Sequence, residues 1–397
     1  MHHAVRLKSL HSRLAGLEVA RSVGRVVAVQ GGVLHVSGLD QHARIGDRAE
    51  LTRRDGSPLK GEVIQLLPEG IVLLPDAAIE GVALADRVTL SRGGTIAPDQ
   101  SWVGRIIDPD GQPLDGFPLS QGLVARPLRC APPAAATRKP MGARLSTGHV
   151  VFDTMLPIVK GQRIGLFAGS GVGKSSLMGA FAGRITADIV VIAMIGERGR
   201  EVRHFVDEVL GSEGRARTIV VAATSDQSPL MRRRCAWTAM AVAEHFRDQG
   251  QSVLFLADSI TRFAEAHREV AVAGGEAPVL RGFPPSTAHL IMSLCERAGP
   301  GGEGQGDITG VFSVLVAGSD MDEPIADILR GVLDGHVVLD RSIAERGRFP
   351  AVDVLRSVSR SLPAAATAEE NKVLAQVRQH LSTYSENQMM ISAGLYS

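Results

Sequence analysis

The 397-residue chain is 44% hydrophobic, 21% charged and only 4% aromatic, and its 43 Lys plus Arg nearly balance 42 Asp plus Glu for a formal net charge of +1. That apolar fraction excludes wholesale disorder, the length fits two or three domains, and the charge balance argues against a general nucleic-acid coat. Three scattered cysteines (Cys130, Cys235, Cys295) argue against a disulfide framework, and no apolar run is long enough to cross a bilayer, so a cytoplasmic protein is expected.

Leu7, Leu10, Leu14 and Leu17 share one helical face, with Arg6, Lys8 and Arg13 elsewhere. A short basic amphipathic helix is expected over 1–20, either docking on a partner or an anionic membrane surface or packing on its own domain. From 21 to 92 the texture becomes short Val- and Leu-rich alternating runs, at 25–29, 33–36, 62–67 and 71–74, with Asp55-Gly56-Ser57-Pro58 as a turn. This predicts a small antiparallel β-barrel. No Phe, Tyr or Trp precedes Trp102, so the barrel lacks the rings on which such folds stack single-stranded nucleic acid. A structural role, holding subunits together, is expected of it.

The stretches at 108–111 and 131–136 look like loops leading into the main domain, 93–363. Strands expected at 163–167, 189–195, 218–222, 253–257, 311–316 and 337–339 alternate with helical patterns, notably 230–246. That alternation predicts an α/β fold, a mainly parallel sheet covered by helices on both faces. Thr367 and Glu370 form a capping box that opens a helical segment over 364–397, where Leu374, Val377, Leu381 and Tyr384 follow at helical spacing.

The strongest chemical motif is Ala168-Gly169-Ser170-Gly171-Val172-Gly173-Lys174-Ser175, between an expected strand and an expected helix over 174–184. Glycines there free successive backbone N–H groups to wrap phosphate oxygens, and the helix N-terminus favours an anion. Lys174 would neutralise the β- and γ-phosphates of ATP, and Ser175 would offer its hydroxyl to Mg²⁺. The apolar run 253–257 ends in Asp258, which could hold a water on that Mg²⁺. Glu197 follows the strand at 189–195 and could polarise an attacking water, with Arg198 beside it as a γ-phosphate contact. Within 349–360, Arg356 and Arg360 are equal candidates for an arginine that meets transition-state charge. Arg232-Arg233-Arg234 reads as a solvated or interface face, and the glycine-rich 299–306 as either a moving pore loop or a passive surface loop.

These elements, in this order, resemble the catalytic subunits of the rotary ATP synthase superfamily, and more narrowly the flagellar and type III secretion export ATPases. The resemblance is carried by the stretches 108–116, 281–286, 322–327, 333–341 and 344–347. Of these, Asp322-Glu323-Pro324-Ile325-Ala326-Asp327 and Asp334-Gly335-His336 point to the export branch rather than the synthase β subunit. It implies a RecA-like P-loop core behind the small barrel, and a C-terminal helical domain that is longer in family members than here. It further implies that residues 168–176, including Ser176, cradle the nucleotide, and that Glu197 is the catalytic carboxylate. Arg262 becomes a supporting residue, Arg360 the arginine donated by a neighbouring subunit, and Phe349 the ring against the adenine, with Tyr396 as a second adenine contact.

One chain carrying both Glu197 and Arg360 can close a ring of identical copies, in keeping with the family's homohexamer. The resemblance extends the partners to a stator or regulator at the N-terminal helix, a secretion gate, a stalk protein and chaperone–cargo complexes, with no nucleic acid. An injectisome ATPase shares all these residues. A Rho-like RNA translocase is disfavoured by the aromatic-free barrel, and a non-catalytic nucleotide-holding ring subunit by Glu197.

Overall fold

A computed structural model of the chain describes residues 22–91, 94–279, 281–316, 321 and 323–395. The helix expected over 1–20 and the candidate Tyr396 lie outside them. Six strands, β1 (Val23–Gln30), β2 (Val33–Ser37), β3 (Arg48–Thr52), β4 (Pro58–Leu67), β5 (Gly70–Pro75) and β6 (Arg87–Ser91), close an antiparallel barrel in the order β1-β2-β5-β4-β3-β6. Their two-residue period turns Val26, Leu34, Val36, Leu51, Val63, Ile71 and Leu73 into a core that is aliphatic throughout. The expected barrel is therefore present. Strands β3 and β6, whose Arg, Glu and Thr content masks the alternation, complete it.

The stretches 108–111 and 131–136 carry no strand, and three short strands flank them: β7 (Thr95–Ile96) pairs with β9 (Arg126–Pro127), and β8 (Ile106–Ile107) joins the edge of the main sheet. That sheet adds β10 (Arg163–Ala168), β11 (Ile189–Glu197), β12 (Thr218–Thr224), β13 (Val253–Asp258), β14 (Gly299–Pro300), β15 (Asp307–Leu315), β16 (Gly335–Leu339) and β17 (Val352–Ser359). The order is β17-β16-β10-β15-β13-β11-β12-β8, parallel except that β17 pairs antiparallel with β16, and β14 with β15. Along β11, Val191, Ala193 and Ile195 enter one core layer and Val190, Ile192 and Met194 the other. Burial on both faces explains why this strand reads as an unbroken apolar run.

Five helices matter for the site: α1 (Lys174–Arg184), α2 (Pro229–Asp248), α3 (Ile260–Ala273), α4 (Ser286–Cys295) and α5 (Ala368–Ser392). The Ser228 hydroxyl caps α2 by accepting from Met231 N–H, with Pro229 in its first turn. Thr367 and Glu370 form the expected reciprocal box at the start of α5. No described helix is long and apolar enough to cross a membrane.

Of the two readings of the arginine run, solvated or interface, Arg233 and Arg234 take the second, at an interface within the chain. Arg233 and Arg234 are buried where α2 meets the barrel, facing Glu62 of β4, itself only 3% exposed. Arg233 Nη2 donates to Glu62 Oε1 at 2.7 Å and Arg129 Nη2 to the same oxygen at 3.4 Å, while Arg234 lies 3.8 Å from Oε2. Burial pushes the Arg233 guanidinium down to about 10, against the opposing pull of Glu62. Glu62 thus faces three arginines, of which Arg234 is shared with Asp110 at 3.6 Å. Glu62→Ala is expected to destabilise the protein by about 3–5 kcal/mol in denaturant unfolding, and a loss below about 1 kcal/mol would contradict this account.

The glycine-rich 299–306 is a tethered turn rather than a free loop. Its β14 pairs with β15, Gly301 N–H donates to Gly306 O at 3.1 Å, and Gln305 is held by Lys139 and by Asp248.

Candidate active site

The carboxyl ends of β10, β15, β13 and β11 lie side by side, the usual ligand edge of an open parallel sheet. Strand β10 ends at Ala168, the loop follows, and Lys174 begins α1. Val172 is 2% exposed and anchors the loop in the core, which leaves Gly169, Ser170 and Gly171 on its outer side. Gly173 sits at φ +87°, and a Cβ there would come 3.3 Å from the Phe349 ring. The left-handed turn favours glycine there, and a Cβ would also press on the ring.

The Lys174 ammonium pairs with the Asp258 carboxylate at the end of β13, and the Ser313 hydroxyl of β15 donates to the same oxygen at 2.8 Å. Ser175 and Ser176 are exposed beside it. Glu197, at the end of β11, is half-buried, and its carboxyl is pushed up to about 7. Burial is the largest cause, followed by the Asp258 charge, with Lys174 opposing and the Glu201 carboxyl adding to the rise. A carboxyl held near neutrality is suited to taking a proton at working pH.

The other candidates divide. Arg198 is exposed and donates to Glu201 Oε1 at 3.3 Å, and Arg262 Nη1 donates to Glu265 at 2.9 Å. Both stand beside the Glu197 strand end. Phe349 and Phe117 are the two exposed phenylalanines, at 64% and 67%. The Phe349 ring lines a cavity of about 330 Å³ with His149, Gly173, Ser176, Leu177 and Pro350, so loop and ring are brought together as expected. A larger groove of about 730 Å³ continues past Phe349 to Leu381 and Tyr384 of α5.

Arg360 is not brought to this site. It follows β17, whose antiparallel register sets Ser359 opposite Gly335, and its N–H donates to Asp334 O at 3.0 Å. Asp334 in turn grips Arg163 at the start of β10. The phosphate loop lies past the other end of β10, roughly 17 Å away at ~3.3 Å per strand residue. Arg356, within β17, faces Asp340 at 3.8 Å, next to Leu339, which pairs with Ala168 at the loop end of β10.

Comparison with known proteins follows the geometry. The ATP synthase alpha/beta family, nucleotide-binding domain, matches residues 148–359. The flagellum-specific ATP synthase of Caulobacter vibrioides is 43% identical over 98% of this chain and 89% of its own length. This chain belongs to the ATP synthase alpha/beta family. Within that family it falls with the flagellum-specific and type III secretion ATPases. The type 3 secretion system ATPase of Xanthomonas euvesicatoria is 39% identical, over 98% of this chain and 87% of its own. The assembled ATPase EscN of the enteropathogenic E. coli type III secretion system superposes with a TM-score of 0.85 at 36% identity. That match covers 94% of this chain and 89% of EscN, and EscN is also known in complex with its central stalk EscO.

Three features of this family member escaped sequence reasoning. His149 lines the cavity beside Phe349 although nothing in Gly148-His149-Val150 announces it. Tyr384 faces the same groove as Phe349; its helical spacing was visible, but not which face α5 presents. Glu201, four residues after Glu197 in the helix that follows its strand, could have been found as a second carboxylate close along the chain.

Proposed function

We propose that this chain is the Mg²⁺-dependent ATP hydrolase of a homohexameric ring that energises protein export through a flagellar type III secretion apparatus. The observation that carries the reading is a carboxyl poised near pH 7, Glu197, beside the Lys174–Asp258 pair at the mouth of a phosphate-binding loop. In the proposed reaction the backbone of residues 168–173 and the Lys174 ammonium hold the nucleotide phosphates, Lys174 leaving Asp258 to do so. The Ser175 hydroxyl is a hard oxygen donor that fits Mg²⁺, the freed Asp258 carboxylate would hold a water on that ion, and the ion would neutralise phosphate charge. Glu197 takes the proton from the attacking water, Arg198 contacts the γ-phosphate with Arg262 in support, and Phe349 stacks on the base.

Arg360 stands too far from its own loop, so the arginine at each site is supplied by the neighbouring copy. That requirement supports a ring, as does the assembled state of EscN, and the EscN–EscO complex supports a stalk protein as partner. Stator, gate and chaperone–cargo contacts, and a peripheral place at the membrane, remain part of the proposal through the family alone.

ATPase activity measured against protein concentration tests the reading. Specific activity is expected to rise steeply as copies assemble and to vanish when EDTA removes Mg²⁺. Activity per chain that stays flat down to demonstrable monomers would contradict it. The higher identity to flagellar relatives favours the flagellar system, and restoration of motility in a strain lacking its own flagellar ATPase separates it from an injectisome.

A further inference from the structure

The arginine run on α2 divides its labour: Arg233 and Arg234 face the barrel, while Arg232 turns toward the catalytic strand end. Strands β11 and β12 stay in register up to Ile195 opposite Ala223, then skip Gly196 so that Glu197 stands opposite Thr224. Gly196 is the extra residue of this bulge, at φ +71°. Bulges of this kind re-aim the next side chain, here Glu197.

Two arginine stems close on that bulge. Arg232 Cδ and Arg262 Cβ each lie 3.4 Å from where a Cβ on Gly196 would stand. Both guanidinium groups are tied to one face of α3, Arg232 to Glu269 and Arg262 to Glu265, each at 2.9 Å and one turn apart. Arg232 Nε also donates to Gln227 O at 3.2 Å, in the loop whose Ser225 N–H donates to Glu197 O at 3.0 Å. Its stem lies over the open side of Gly196, and its head holds both the adjoining loop and α3. The two contacts leave from different nitrogens of the planar guanidinium, whereas a lysine would have to make both from one.

We propose that Arg232 is a positioning residue for Glu197, fixing the Gly196 bulge that aims the carboxylate at the attacking water. The proposal rests on Glu197 being the catalytic base. Misplacing a reacting group by about 1 Å costs on the order of 100-fold in rate, so a loosened bulge acts on turnover and not on nucleotide affinity.

The test compares Arg232→Ala, which removes stem and head, with Arg232→Met, which keeps an apolar stem, and Glu269→Gln, which weakens only the anchor. The measurements are kcat, KM for ATP and equilibrium binding of a fluorescent ATP analogue, at concentrations where wild-type activity per chain has saturated. Arg232→Ala is expected to lower kcat by about 10–100-fold with KM and affinity changed less than about 3-fold. Arg232→Met and Glu269→Gln should fall between it and wild type. If Arg232→Ala does not assemble, the other two carry the same comparison. Unchanged kcat in the assembled variants, or a kcat loss matched by an equal loss of affinity, overturns the proposal. Glu197→Gln run alongside separates the two readings: if it stays active the base assignment fails, and if it is inactive while the Arg232 variants turn over normally only the positioning role fails.

Discussion

Glu197→Gln lowers kcat for ATP hydrolysis by about 10²–10⁴-fold, the usual contribution of a positioned general base, while ATP binding stays close to wild type. Glutamine keeps the shape of the side chain at the end of β11 but cannot accept a proton. The same carboxyl sets the expected pH dependence. Burial and the Asp258 charge raise it to about 7, so below that pH it is protonated and cannot act as a base. The kcat/KM of the free enzyme should therefore fall as pH drops through about 7, and Glu197→Gln should lose that acidic limb. Turnover unaffected by the substitution would remove Glu197 from the mechanism.

Arg360→Ala carries an effect of similar or greater size, about 10³–10⁵-fold in kcat, if its guanidinium meets the charge on the transferring phosphoryl group. Within one chain it cannot do so. Its backbone is bonded to Asp334 and its Nη2 to Arg330 O, both at the opposite end of β10 from the loop. The loss should come with folded, nucleotide-binding subunits, because Arg360 is exposed and holds no buried charge. A stability defect, by contrast, is the expected signature of Glu62→Ala. The two variants thus separate an arginine that acts on a neighbour from a glutamate that holds the barrel on its own chain.

Much of the site was legible because its signals are local. The phosphate loop is a contiguous run between a strand and a helix, and Asp258 and Glu197 each close an apolar run whose length marks a buried strand. The aliphatic barrel was visible from alternation alone, although β3 and β6 were hidden by the polar residues on their outer faces. What remained hidden depends on contacts between distant parts of the chain. Arg233 meets Glu62 across 171 residues, and nothing in a run of three arginines tells which of them a far-off carboxylate will bury. The same holds for the Lys174–Asp258 pair, 84 residues apart. Tyr384 shares a helical face with Leu381, but what that face packs against, the groove beside Phe349, had to come from tertiary structure. The glycine-rich 299–306 misled in the other direction. Its composition fits a mobile loop, yet pairing with β15 and the grip of Lys139 and Asp248 on Gln305 fix it.

The central claim is that each site is completed by the next subunit, and mixed rings test it most directly. Lys174→Ala subunits lack a working loop but still present Arg360, while Arg360→Ala subunits keep the loop and lack the donor. Each variant alone should be nearly inactive. Equal mixing should create a competent interface in about one junction of four by random assembly. Recovery of ATPase activity on mixing is the predicted result, and no recovery in rings shown to contain both variants would contradict a shared site.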